Sequence, residues 1–143
     1  MYFEEFVLGA KYEIAPAVIE KGDMIDFAEK YDNIPLHTDE EYAKSTVFGG
    51  LIAPGVMSFM SVWAKYLEIN LAGKEIIAGK STKIEWIKPV YAGDVLKSTC
   101  TVSNLLKRNA HNGLVEISFE VFNQKGDLVL KNVTEMVVKC KPV

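Results

Sequence analysis

Arginine is almost missing from this sequence: Arg108 is the only one among its 16 basic residues. The lysines are scattered, with no basic run, so the chain lacks the clustered phosphate-binding face that a nucleic-acid partner requires. Cysteine is also scarce. Cys100 and Cys140 are too few for a disulfide scaffold and lack the paired spacing of a zinc site, so they read as buried thiols in a reducing compartment. No apolar stretch reaches the roughly 20 residues of a membrane span. The N-terminal MYFEEFVLGAKYE carries acids where a signal peptide would be basic, so no membrane partner is expected and the expected location is the cytoplasm. No set of His, Cys and Asp has metal-ligand spacing, and no glycine-rich loop follows a strand as a dinucleotide site would require. Neither a metal nor a redox cofactor is expected.

What is present suits one core. The 143 residues are 49% hydrophobic and 24% charged, with a formal net charge of −3 and no repeat, low-complexity tract or linker, so residues 1–143 are expected to form a single domain. Residues 6–19 read as extended. EKGDMIDFAEKYD (20–32) has helical spacing, with Asp23 as the expected N-cap and Ile25, Phe27, Ala28 and Tyr31 as apolar positions. Pro35 should end any helix there, because the residue before a proline is pushed toward extended geometry. From Pro35 to Gly55 the chain should be irregular or briefly helical, with DEEYA (39–43) as one turn capped by Asp39.

VMSFMSVWAKYLEINLA (56–72) has apolar residues on nearly every face, which predicts a helix buried all round. After it come four stretches rich in β-branched and aromatic residues: IIAGKSTKIEWIKPVY, DVLKSTCTVSNLL, LVEISFEVFN and DLVLKNVTEMVVKC. Pro89 with AGD (92–94), NAHNG (109–113) and NQKGD (123–127) supply the turns between them. One early strand, one buried helix and four later strands predict an α+β fold, a five-stranded antiparallel sheet wrapped around a central helix, called the hot-dog arrangement.

The candidate chemistry lies in YDNIPLH (31–37), where Asp32 stands five residues before His37. A carboxylate and an imidazole around one water can handle the proton in addition to a conjugated double bond, or in the reverse elimination. Gly55 falls at the start of the central helix, where backbone N–H groups have no intrahelical partner and the dipole favours negative charge, a place for an enolate oxygen. Gly49 and Gly50 permit either a tight turn or close approach of a ligand. Trp63 and Trp86 read as core or interface aromatics, and His111 as a solvent-facing loop residue.

The segment YDNIPLHTDEEYAKSTVFGGLIAPG resembles the MaoC-like dehydratases, also called (R)-specific enoyl-CoA hydratases. Asp32, Pro35, Leu36, His37, Asp39, Ala43, Phe48, Gly49, Gly50, Ile52, Ala53 and Gly55 match the family pattern in register. The resemblance implies the hot-dog fold, a proton carried by Asp32 and His37, and a Gly55 N–H that contacts the thioester oxygen. It also implies a homodimer with its sites near the interface, which would protect an exposed edge strand.

The chain departs from the pattern at three places. Ile34 replaces a common Asn, which leaves the adjacent Asn33 as a candidate substrate contact alongside Gly50. Pro54 replaces a common His. Trp63 stands where well-known hydratases have a serine, so Trp63 becomes a candidate lining residue of a short acyl tunnel, with Ser58 and Ser61 as substitutes for the hydroxyl.

The expected reaction is therefore reversible hydration of a 2-enoyl-CoA to a 3-hydroxyacyl-CoA, with the coenzyme A thioester as substrate and acyl carrier protein as the less favoured carrier. Two other readings compete with it. One is an acyl-CoA thioesterase, although the only acid on the central helix, Glu68, lies far from its start. The other is a non-catalytic acyl-thioester-binding subunit, suggested by Pro54 and Trp63.

Overall fold

The computed structural model describes residues 1–143. A 3-10 turn, Phe3–Glu5, leads into strand β1 (Lys11–Val18), then helices α1 (Lys21–Tyr31), α2 (Pro35–Thr38), α3 (Glu40–Lys44) and α4 (Gly55–Glu68), and a second 3-10 turn, Gly73–Glu75, follows α4. Strands β2 (Ile76–Trp86), β3 (Val95–Lys107), β4 (Asn112–Phe122) and β5 (Leu128–Lys139) complete the chain. They form one antiparallel sheet of order β1-β3-β4-β5-β2, so the strand that follows α4 crosses to the edge farthest from β1. No helix is long and apolar enough to cross a membrane.

The strand assignments follow the alternation in the sequence. Val115, Ile117, Phe119 and Val121 of β4 are all 1% exposed or less, which places every second residue of this central strand on the helix side. Phe59 and Tyr66 of α4 pack edge-on against Phe119, with ring centroids 5.7 and 5.4 Å away. Val62 of α4 is buried between them in sequence and joins the same core. The sheet therefore curls around α4, which is the expected hot-dog arrangement.

Two local expectations, the cap of α1 and the burial of α4, are corrected, and that for Pro35 is extended. Helix α1 starts at Lys21 with Glu20 at the N-cap position, so Asp23 lies inside the first turn, where a carboxylate still suits the dipole, and is not the cap. Pro35 ends α1's reach and also opens α2, because a residue without an N–H loses nothing at the first helical position. Helix α4 is not buried all round. Val56, Met60 and Leu67 are 46–48% exposed, because the sheet covers one side of the helix and edge strand β2 is itself exposed along nearly its whole length. The turn capped by Asp39 forms as expected, with Tyr42 N donating to Asp39 Oδ1 at 3.1 Å.

Candidate active site

Asp32 and His37 are brought together by the way α1 ends and α2 begins. Asp32 occupies the C-cap of α1, its amide donating to Ala28 O at 2.8 Å. Extended backbone at Ile34 then delivers the chain to the short proline-opened turn that carries His37. The His37 side chain is buried at 8% exposure, while the Asp32 side chain remains 45% exposed beside the cleft. His37 Nε2 lies 3.3 Å from Asp32 Oδ2, and His37 Nδ1 lies 2.7 Å from Ile52 O.

That second contact sets the tautomer. A carbonyl oxygen only accepts, so Nδ1 carries the proton and, in the neutral ring, Nε2 presents its lone pair toward the carboxylate. The pair either shares a proton between imidazole and carboxylate or offers two acceptors to the hydrogens of one water.

The segment that supplies Ile52 is tied to the turn after β2. Ala53 N donates to Val90 O at 2.7 Å, and Ile52 pairs with Tyr91 in an isolated antiparallel bridge. Immediately beyond it α4 begins. Its first intrahelical bond runs from Ser58 N to Pro54 O at 3.1 Å, so the amides of Gly55, Val56 and Met57 have no intrahelical acceptor. Pro54 as N-cap has no side-chain oxygen to occupy them. The departure at Pro54 thus leaves these donors uncapped.

A cleft of about 440 Å³ joins the two parts, lined by Asp32, His37, Gly55, Ser58, Trp86 and Lys88 among others. Ser58 is buried, and its hydroxyl approaches Pro54 O at 3.4 Å. Trp86, at the end of β2, lays its indole directly over Gly55: a Cβ at residue 55 would overlap the ring. With the indole in this place glycine alone fits at residue 55, and any larger residue requires Trp86 to shift.

The sequence candidates divide accordingly. Asp32, His37 and Gly55 share the cleft with Ser58, but Asn33, Gly50 and Trp63 do not line it. Asn33 is exposed. Gly50 follows Gly49, whose φ of 69° makes the turn, and a Cβ at Gly50 would meet open space. Trp63 stacks on Tyr66 at 4.9 Å and meets Phe119 at 6.0 Å, so it belongs to the aromatic packing between α4 and β4. Ser61 turns back to Met57 O at 2.9 Å. Sequence reasoning missed Trp86 and Lys88 as lining residues. Spacing along the chain does not reveal that the end of β2 folds over the start of α4. His111 is exposed in its turn, as expected.

The chain resembles known proteins in sequence and in fold. The sequence model of the family described as MaoC like domain matches residues 5–123. The uncharacterized protein YdeM of Bacillus subtilis is 28% identical over 140 residues, covering 97% of this chain and 99% of its own. The (R)-specific enoyl-CoA hydratase of Rhodospirillum rubrum is 32% identical over 106 residues, covering 73% of this chain and 72% of its own. Among solved structures, the monoamine oxidase regulatory protein of Archaeoglobus fulgius superposes with a TM-score of 0.92 at 31% identity, covering 99% of this chain and 96% of that one.

Proposed function

Because the chain belongs to the MaoC-like domain family, we propose that it reversibly hydrates a 2-enoyl-CoA thioester to the 3-hydroxyacyl-CoA, with Asp32 and His37 as its catalytic residues. The observation that carries this reading is the placement of the Asp32–His37 pair, 3.3 Å apart, in the same cleft as the uncapped start of α4. The hydratase relative from Rhodospirillum rubrum supports it.

The steps follow from the hydrogen-bonding capacities of the groups. A water between Asp32 Oδ2 and His37 Nε2 donates to one or both, leaving an oxygen lone pair for C3 of the enoyl group. As the oxygen bonds to C3, a proton passes to the pair and charge builds on the thioester oxygen. The Gly55 N–H and the positive end of α4 stabilise that enolate. C2 then takes a proton from the pair, and the site returns to its starting state with no net loss or gain. The reverse sequence is dehydration.

The experiment is a panel of enoyl-CoA substrates of about four to twelve carbons, followed by loss of the conjugated thioester absorbance. A saturated acyl-CoA incubated in parallel reports free thiol. Loss of the enoyl absorbance without thiol release is the expected result. Thiol release without hydration would replace the reading by hydrolysis, and tight binding without turnover would replace it by a non-catalytic acyl-thioester subunit.

A further inference from the structure

Two aromatic rings stand beside Asp32 and have no part in the chemistry. Phe27 and Tyr31 lie one turn apart at the end of α1, with ring centroids 5.1 Å apart and planes tilted by 52°, and Asp32 follows as the C-cap. Phe27 packs against the core. Tyr31 is 66% exposed, and its ring meets both Phe27 and the Lys30 ammonium, whose Nζ is 5.2 Å from the centroid. With Asp32 and the half-exposed Val56 of α4, the two rings line a second cavity of about 440 Å³. Asp32 lines this cavity and the catalytic cleft alike, while Gly55 and Val56, consecutive at the start of α4, line one each. Apart from the Asp32 carboxylate, every side chain of the second cavity is aliphatic or aromatic.

The connectivity of the substrate decides which part of it reaches this cavity. In a 2-enoyl thioester, C1 bears the oxygen and the sulfur, C2 and C3 share the double bond, and the rest of the chain continues from C4. With the oxygen at the Gly55 N–H and C3 at the water between Asp32 and His37, C4 lies beyond C3, away from the sulfur. The His37 side is closed, its side chain 8% exposed, and the Asp32 side is open, its side chain 45% exposed. C4 and the carbons after it leave past Asp32, toward Phe27, Tyr31 and Val56. The sulfur points the other way, into the cleft that carries Ser58 and Lys88, where the amides and hydroxyl of a pantetheine arm find polar groups. An alkyl chain needs none.

We propose that the cavity lined by Phe27, Tyr31 and Val56 is the subsite for the acyl chain of the thioester, an inference that rests on the reading of the Asp32–His37 cleft as an enoyl-thioester site. Tyr31 and Val56 are themselves half-exposed or more, so a methylene laid against them is covered on one side. Each should raise affinity about twofold, where full burial would give about fourfold. A groove of this kind has no closed end, so affinity should rise with length rather than stop at a short chain.

The test uses ketone analogues of acyl-CoA, S-(2-oxopentyl)-CoA and S-(2-oxononyl)-CoA, which keep the carbonyl and can be neither hydrated nor hydrolysed. Calorimetry gives the Kd of each for the parent, Tyr31→Ser and Val56→Ser, and melting curves confirm that each variant is folded. The parent should bind the longer analogue about tenfold more tightly, and each variant should bring that ratio down to about threefold or less. The ratio cancels any general weakening of the site, so a merely structural role for either residue would leave it at the parent value. A parent ratio near one, or a parent ratio that persists in both folded variants, overturns the proposal. Loss of the ratio in Trp63→Ser alone would overturn it too, by placing the chain between α4 and β4. A parent ratio near one joined to a change in sedimenting mass on Tyr31→Ser would give the face to a second copy of the chain. Because binding is read without turnover, a protein that shows the length dependence but hydrates none of the panel keeps the subsite and loses the proposed reaction. One that hydrates the panel without the length dependence loses the subsite alone.

Discussion

His37 has one ring nitrogen committed to a backbone carbonyl and the other facing a carboxylate, so substitutions at the pair separate chemistry from folding. Asp32→Asn and His37→Gln should each lower hydration by about 10²–10⁴-fold, the range for loss of a positioned acid–base group. Asp32 is half-exposed, so its variant should melt within a few degrees of the parent. His37→Gln leaves Ile52 O in need of a new donor, which costs on the order of 1 kcal/mol. Near-parental turnover from either variant would remove the assignment. Trp63→Ser tests a different residue. Its stacking on Tyr66 and contact with Phe119 predict a cavity and a loss of roughly 3 kcal/mol, with the order of acyl-length preference unchanged; a shift toward longer chains would instead make it a tunnel residue. At this scale Asp32 and His37 were legible because one short stretch holds both and a helix end with a proline turn brings them together. Trp86 was not, because its contact with Gly55 exists only once β2 has folded over α4.

Among the elements, α4 contributes Gly55 and Ser58 to the cleft, and its first residue is closely constrained by Trp86. Gly55→Ala would drive a methyl group into the Trp86 indole. Overfilling of this kind costs on the order of 1–3 kcal/mol unless the neighbour moves. The expected outcome is a displaced indole, seen as a change in tryptophan emission, together with at least about a tenfold loss of hydration, the lower range for impairing an oxyanion donor. Unchanged emission and turnover would show that Trp86 yields freely and that the close approach has no part in the site. The strands were readable because β3 alternates between core and solvent over residues 95–102 and β4 does so over residues 115–121, while β5 adds runs of consecutive buried residues. The exposure of α4 was not, since an apolar residue in a helix records what can be buried and not what covers it. Pro35 illustrates the same gap: its ring stops one helix by sterics, and its missing N–H suits it to start the next.

Over the whole molecule, two features govern stability and assembly. Burial pushes the Cys100 thiol up to about 11 from 9.0, and burial also raises the Tyr66 phenol, whose hydroxyl has no hydrogen-bond partner in the core. The unfolded thiol ionises from about pH 9 while the folded one keeps its proton, so the unfolded state binds fewer protons between about pH 9 and 11. Stability is therefore fully present below about pH 9 and falls as pH rises toward 11. Melting temperatures across this range should decline, and Cys100→Val should flatten the decline; an identical slope would exclude the thiol as a cause. The second feature is the uncovered side of the fold. The sheet has two edges, and they are not alike. Strand β1 carries Pro16, which discourages a further strand, whereas register shifts occur at both edges, between Ile14 and Ala17 in β1 and at Ile76/Ala78 and Gly79/Ser81 in β2. Strand β2 is 11 residues long without a proline and is exposed along nearly its whole length, and Val56, Met60 and Leu67 are half-exposed on α4. We therefore propose a homodimer joined across β2 and the α4 stripe, where edge pairing and apolar burial would act together. A stable interface of this kind buries about 1,600 Å² in total, and Met60→Lys combined with Leu67→Glu places charge within it without touching Asp32, His37 or Gly55. Sedimentation at micromolar concentration should give a dimer for the parent and a monomer for the double variant, and the variant should lose hydration because the open flank of the cleft is no longer covered. A parent that sediments as a fully active monomer would rule out both the dimer and the need for it.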